Sequence, residues 1–235
     1  MIWTYHPGAP VNGIIVPDED EQRHMRALRL DSNDTVACFD GRGTLYICTV
    51  EVLKKSTQLI VVSQENIDHR KPTLEIAIAP TKNMDRLEWF IEKAVEIGID
   101  KITLIKCDHS ERPIIKLDRL MRVAIAAAKQ SRKAHLPEIT ELINYDEWLK
   151  TAAADVKTIA HCADDNSKIL FQKAFTPHQN CIIAIGPEGD FSSREIELSK
   201  NAGFVTVSLG NARLRTETAG IAAVHTFEII QQQAL

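Results

Sequence analysis

A chain of 235 residues, 44% hydrophobic and 26% charged, can bury one substantial core or two small ones and has ordinary globular composition. Its formal net charge of −4 does not by its sum advertise a nucleic-acid binder, so the distribution of charge carries more information. No apolar run approaches a bilayer span, and the opening MIWTYHPGAPVNG lacks the basic segment and apolar core of a secretory signal. The five cysteines (Cys38, Cys48, Cys107, Cys162, Cys181) are odd in number, and no pair has metal-ligand spacing. They are expected to be reduced and mostly buried, in a cytoplasmic protein without a membrane segment.

Residues 1–70 read as one small β-rich module. EQRHMRALRL is helix-like, and alternating runs follow at Thr35–Phe39, Leu45–Leu53 and Gln58–Val62. Asp40-Gly41-Arg42-Gly43 between the first two is a hairpin signal. The expected outcome is a barrel-like sheet. Arg23, Arg26 and Arg29 recur every third residue, as either a solvated helix face or a grip on an RNA backbone. The polar stretch Glu65–Pro72 is expected to link this module to a second domain, residues 71–235.

From Leu74 the hydrophobic period changes. LEIAIAP reads as a buried strand. Asp85 and Glu88 open a helix with Leu87, Phe90, Ile91, Ala94 and Ile97 on one side and Gly98 as its stop. KITLIKC is the next strand, followed by a helix from about Leu117 to Gln130 and a break at Leu136-Pro137. This region carries Arg112, Lys116, Arg119, Arg122, Lys129, Arg132 and Lys133 against the single acid Asp118. A block without interspersed acids suits either a solvated surface or RNA contact, and Lys82 and Arg86 join it as candidate RNA-binding residues.

INYDEWLKTAA is a short helical piece, VKTIAHCAD a strand, and Lys168–Phe175 weakly helical. Two strand–loop–helix units then close the chain. Cys181–Ile185 runs into Gly186-Pro187-Glu188-Gly189 and a helix whose Ser192 and Glu195 form a capping box. Phe204–Leu209 runs into Gly210-Asn211-Ala212-Arg213 and a helix from Thr216, with Ala219, Ala222, Ala223, Phe227 and Ile230 at helical spacing. The alternation implies an α/β fold with a mostly parallel sheet covered on both faces. Both glycine-bearing loops fall at carboxyl ends of strands, where such sheets bind ligands.

Gly186 and Gly189 permit close backbone approach, so their loop can offer N–H and C=O groups to a flat polar molecule. The second loop adds Arg213, Arg215 and Glu217 at a helix start. Several familiar sites are missing: no G-x-G-x-x-G follows a strand, and no P-loop, G-x-S-x-G or H-E-x-x-H occurs. The eight histidines and the cysteines form no zinc pattern, so no metal is expected. His161 and His225 are expected to be packed or surface residues.

The segments GPEGDFSSREIE, LGNARLRTETA, MDRLEWFIEKAVEIGI and RALRLDSNDTVACFDGRG, in this order-preserving arrangement over almost the whole chain, resemble the RsmE-type 16S rRNA (uracil-N3) methyltransferases of the SPOUT superfamily. The sequence departs from the family at Asp190, where another glycine is usual, and at Asn211-Ala212-Arg213, where proline-arginine-hydrophobic is usual. AAAKQSRKAHLPEI replaces a common glutamine-serine-glycine-arginine wording. The resemblance implies a carboxyl-terminal SPOUT α/β domain with a trefoil knot, a PUA-like β-barrel domain at the amino terminus, and a homodimer acting on 16S rRNA or the 30S subunit. It implies S-adenosylmethionine as methyl donor, held by Ala160, Ile185, Gly186, Pro187, Glu188, Gly189, Leu209, Gly210, Asn211, Leu214 and Thr216. Leu209 and Leu214 would pack on the adenine. Methylating N3 of uracil needs loss of its proton, so Arg215 with Arg213 is expected to stabilise the charge on the ring, and Glu217 or Glu188 to take the proton. Competing readings are a non-catalytic RNA-binding assembly factor and a methyltransferase of the same superfamily acting on ribose 2′-oxygen or tRNA.

Overall fold

The computed structural model describes residues 1–54, 56–69, 71–111 and 115–233; Arg112 of the basic block lies outside them. The chain divides into two compact units, Met1–His69 with Ile125–Leu136, and Arg70–Ala124 with Pro137–Leu235.

The first unit holds β1 (Ile2–Tyr5), β2 (Ile14–Ile15), α1 (Glu19–Ala27), β3 (Thr35–Phe39), β4 (Thr44–Val52) and β5 (Thr57–Asn66). Its strands form one sheet in the order β1-β3-β4-β5-β2. The β3–β4 turn uses Gly41 and Gly43 at φ 80 and 103, and Asp40 Oδ1 accepts the N–H groups of Arg42 and Thr44 at 2.7 and 3.0 Å. Met25 of α1 packs with Ile15, Val36, Cys38, Tyr46, Cys48, Val50 and Leu59. Burying side chains of this size contributes on the order of 1.5–3 kcal/mol each, which is what fixes α1 to the sheet. Asp18 caps α1 by accepting the Glu21 N–H at 2.8 Å. The helix closes in a Schellman turn: Arg29, at φ 54, donates to the Arg26 carbonyl, and Leu30 donates to that of Met25. Arg23 and Arg26 therefore lie on the helix and Arg29 beyond it, rather than all three on one helical face. β5 also runs on to Asn66, into the segment expected to be linker.

The chain continues through β6 (Leu74–Ile78), α2 (Met84–Ile97), β7 (Lys101–Lys106), α3 (Leu117–Ser131), β8 (Glu138–Ile139), β9 (Ile143–Asn144), α4 (Tyr145–Thr151) and β10 (Val156–Ala160). Then follow β11 (Ile169–Leu170), β12 (Cys181–Ile185), α5 (Ser193–Asn201), β13 (Val205–Ser208) and α6 (Thr216–Gln232). These strands make one sheet, β11-β13-β10-β12-β6-β7-β8, with β9 also on β7. Every pairing in it is parallel. Burial of all five β12 residues explains why CIIAI reads as an unbroken apolar run. The segment expected to be weakly helical is the edge strand β11 followed by one 3-10 turn, Phe171–Lys173. The capping box forms at the start of α5: the Glu195 N–H donates to Ser192 Oγ at 3.2 Å and the Ser192 N–H to Glu195 Oε2 at 2.9 Å.

α6 packs on α2, β6 and β12. Its buried stripe is Gly220, Ala223, Val224 and Phe227. A Cβ on Gly220 would stand 2.4 Å from the Phe90 ring, so the two helices approach as closely as they do because residue 220 has no side chain. Gly220→Ala is expected to lose about 1–3 kcal/mol through overpacking, read as a lower Tm. An unchanged Tm would mean that Phe90 turns aside at no cost.

Candidate active site

Three loops meet at the carboxyl ends of β10, β12 and β13. Since β10 lies between β12 and β13, the two glycine-bearing loops belong to strands that are second neighbours. Thr216, at the start of α6, joins them by donating its hydroxyl to the Gly186 carbonyl at 3.0 Å, in a buried setting. Asp190 Oδ2 accepts the Cys162 N–H at 2.8 Å and ties the β12 loop to the β10 loop. Asp190 has φ 63, a left-handed conformation that glycine adopts freely and aspartate tolerates. In the third loop Ser208 Oγ donates to the Gly210 carbonyl at 2.8 Å and accepts the Gly210 N–H at 3.2 Å. Thr216→Val keeps the shape but strands the buried Gly186 carbonyl, so stability is expected to fall by about 1–3 kcal/mol. Thr216→Ser, which retains the donor, should recover most of the loss in the same denaturation measurement.

The loops enclose a cleft of two lobes. One, of about 350 Å³, is lined by Ala160, Leu209, Gly210, Asn211 and Leu214 together with His161, Cys162 and Lys168. The other, of about 280 Å³, is lined by Ala160, Ile185, Gly186, Pro187, Glu188, Leu214 and Thr216, with Asp190 and Arg215. Ala160, Cys162, Arg213, Leu214 and Ala219 border both. A third cavity, of about 560 Å³, shares Arg213, Leu214 and Arg215 with the cleft and is completed by Asp85, Arg86, Trp89, Glu217 and Thr218. Gly189 borders none of these; it is exposed, and its carbonyl faces the His109 ring nitrogen at 3.1 Å.

Arg213 and Arg215 are exposed at the border between the cleft and the third cavity. Glu217 is 7% exposed. Its Oε1 lies 3.8 Å from Arg86 Nε, and its Oε2 has no hydrogen-bond partner among the described residues. Glu188 is exposed, and its carboxylate accepts the Lys82 N–H at 3.0 Å, anchoring the β12 loop to the segment before α2. The N-cap of α6 is Arg215, whose guanidinium has no acceptor and makes no capping bond to the first-turn N–H groups. Burial lowers the pKa of His161, whose ring nitrogens lack hydrogen-bond partners among the described residues. His225 is exposed.

The candidate RNA contacts divide by unit and by partner. In the first unit Arg26, Arg29 and Arg132 are exposed, and Arg23 is exposed beside Asp20 at 3.4 Å. Lys133 is half-buried, and Lys129 turns inward to pair with Glu21 of α1. In the second unit Lys82 pairs with Glu111 at 2.8 Å and Arg119 with Glu88 at 3.0 Å, while Arg122 donates to the Asp118 carbonyl at 3.3 Å. Four of the five cysteines are buried, Cys162 is exposed, and all are free thiols. Among the described residues no cluster of His, Cys, Asp or Glu could hold a metal ion, and no helix is long and apolar enough to cross a membrane.

Sequence reasoning pointed to the β10 loop and marked Asp190 as a departure from glycine, but it did not name Cys162, Lys168 or Ala219 as site residues, and it passed over Trp89. The one available signal for Trp89 was an indole on the polar side of α2. Chemically, the small residues Ala160, Gly186, Gly210 and Ala219 leave room for a flat ring, and Ile185, Leu209 and Leu214 give it apolar walls. The guanidinium groups of Arg213 and Arg215 border both the cleft and the third cavity, and the Glu217 carboxylate lines the third cavity.

The RNA methyltransferase domain family matches residues 69–228, and the RNA methyltransferase PUA domain family matches residues 17–62. The chain is 30% identical over 204 residues to the ribosomal RNA small subunit methyltransferase E of Mesomycoplasma hyopneumoniae, covering 84% of this chain and 86% of that protein. The crystal structure of a probable rRNA-methyltransferase from Porphyromonas gingivalis superposes with a TM-score of 0.90 at 37% identity, over 100% of both chains. A ribosomal RNA small subunit methyltransferase E from Neisseria gonorrhoeae, bound to S-adenosyl methionine, superposes with a TM-score of 0.85 at 26% identity, over 97% of both chains.

Proposed function

The chain belongs to the RNA methyltransferase family, among the ribosomal RNA small subunit methyltransferases E, and from that membership we propose that it methylates N3 of a uridine in 16S rRNA, with S-adenosylmethionine as donor. The observation that carries the site assignment is the two-lobed cleft at the ends of β10, β12 and β13, which shares Arg213, Leu214 and Arg215 with the third cavity. The cleft fits the donor: Ala160, Gly186, Gly210 and Ala219 leave room, Ile185, Leu209 and Leu214 give apolar wall, polar side chains complete the lining, and loops after three strands surround it. Leu209 and Leu214 would flank the adenine, with Ala160, Gly186 and Gly210 admitting the ring against the backbone.

When bound, the donor supplies an electrophilic methyl carbon on a sulfonium: the N3 lone pair forms the new bond as the carbon–sulfur bond breaks and its electrons pass to sulfur. Neutral uracil cannot attack, because the imide nitrogen's lone pair is delocalised into two carbonyls and N3 carries a proton. Glu217 is assigned to receive that proton, since Glu188 is already held by the Lys82 backbone. Arg215 is assigned to the charge that deprotonation spreads onto O2 and O4, at the positive end of the α6 dipole.

The same reading takes residues 1–70 as a PUA-like RNA-binding domain and 71–235 as the methyltransferase domain of a cytoplasmic homodimer. Exposed Arg23, Arg26, Arg29 and Arg132 would grip the RNA backbone of the 30S subunit or free 16S rRNA. A trefoil knot is part of the proposal, though connections in most folds avoid knots. Supporting it, the chain leaves β13 outside β10 and returns past the ends of β10 and β12 to reach α6 against α2.

The test is nucleoside mass spectrometry of 16S rRNA from a deletion strain. One 3-methyluridine should vanish and return with the wild-type chain. An unchanged 3-methyluridine content, with a ribose 2′-O-methyl or a tRNA mark lost instead, would move the activity elsewhere. Calorimetry showing RNA binding but no S-adenosylmethionine binding would mean an assembly factor.

A further inference from the structure

We propose that the third cavity, between the first turns of α2 and the start of α6, seats the target base, and that the indole of Trp89 is the surface on which this base stacks. This rests on the methyl-transfer reading and adds to it a substrate-binding residue. The cavity shares Arg213, Leu214 and Arg215 with the cleft, so a ring held in it lies beside the donor site. Trp89 is 43% exposed, on a helix whose neighbouring Leu87, Phe90 and Ile91 are fully buried. The core of α2 is thus filled by its neighbours and leaves part of the indole open, and an exposed aromatic face suits an unstacked base.

The charges around it fit a nucleotide. Arg86, one helical turn before Trp89, and Arg213 and Arg215 across the cavity give a cationic border for phosphates. In the wall stands Glu217, 7% exposed, with an oxygen that has no donor among the described residues. A buried acceptor left unpaired is costly, and the N3–H of a uracil is a donor of the right kind. The occupant is therefore a uridine of single-stranded or locally opened RNA, turned out of its stack to reach the methyl carbon.

Tryptophan emission offers a readout independent of turnover. The chain has three tryptophans. Trp148 is 2% exposed and hydrogen-bonded to Glu75, so it should not respond to a base. A short single-stranded oligouridylate, added with saturating S-adenosylhomocysteine, should quench the wild-type emission and leave that of Trp89→Phe nearly unchanged. Trp89→Ala should raise the KM for an rRNA fragment about tenfold, the scale of one lost base–aromatic stack, without changing S-adenosylmethionine affinity. Trp89→Phe, which keeps a stacking ring, should restore most of that KM. Equal quenching in Trp89→Phe, or an unchanged KM in Trp89→Ala, would overturn the proposal. So would an altered sedimentation coefficient of Trp89→Ala, which would give this face to a second copy of the chain. A wild-type protein that is quenched by oligouridylate but transfers no methyl group would instead sink the methyl-transfer reading and leave the stacking surface standing.

Discussion

Glu217→Gln should lower methyl transfer by about 10²- to 10⁴-fold, the usual scale for losing a positioned general base, while S-adenosylmethionine affinity stays near wild type. Glutamine keeps the size and hydrogen-bonding shape of glutamate but cannot accept the N3 proton at neutral pH. The position is buried, so shape matters: a smaller residue would mix a packing loss into the rate. Four carboxylates border the cleft and the third cavity: Asp85, Glu188, Asp190 and Glu217. Glu188 is exposed and already accepts a backbone N–H, whereas Glu217 has a buried oxygen without a donor among the described residues. The contrary possibility is that Glu217 merely places negative charge in the first turn of α6, where it favours the helix dipole by about 0.3–1 kcal/mol. The variant separates the two. Single-turnover transfer to an rRNA fragment, with calorimetry for the donor, should show rate lost and binding kept. Full transfer with a lowered Tm would leave Glu217 only the helix role.

The sequence was most informative where a signal is local or a strand is buried on both faces. Ser192 and Glu195 sit three residues apart and satisfy each other's backbone partners, so their capping box needs nothing from the rest of the chain. CIIAI and LEIAI stand out because central strands of a parallel sheet have no solvent side. β1, β2, β8, β9 and β11 were not legible. They are two to four residues long, and pairing with a longer neighbour, not their own composition, makes them strands. The inward turn of Lys129 was equally hidden: the sequence groups it with the basic block around it, but its partner Glu21 is 108 residues away. At the site, residue types were readable and their meeting was not. Nothing in GPEG or GNAR tells that β10 will insert between their strands, or that Thr216 will reach across to Gly186. Asp190 looked like a departure from glycine. Its left-handed backbone meets the same conformational need, and its carboxylate adds a bond to Cys162 that glycine could not make.

Arg215→Ala should cut methyl transfer by about 10²- to 10³-fold, as removal of a preorganised donor to a developing oxyanion does, with little change in S-adenosylmethionine affinity. Arg215 is the N-cap of α6, with φ −72 and ψ 158, and no side chain caps the helix. Its guanidinium and the N-terminal end of α6 therefore issue from one place in the chain, beside both the cleft and the third cavity. Arg213 provides the contrast. It borders both lobes of the cleft as well as the third cavity, whereas Arg215 borders only the second lobe and the third cavity. Loss of Arg213 should accordingly weaken donor binding and transfer together, and loss of Arg215 should weaken transfer alone. Arg215→Lys keeps a positive charge but not the planar fork that can reach ring oxygen and phosphate at once, so it should recover only part of the rate. If Arg215→Ala loses donor affinity as steeply as rate, its charge serves the cleft, and the stabilisation of O2 and O4 falls to the α6 amides.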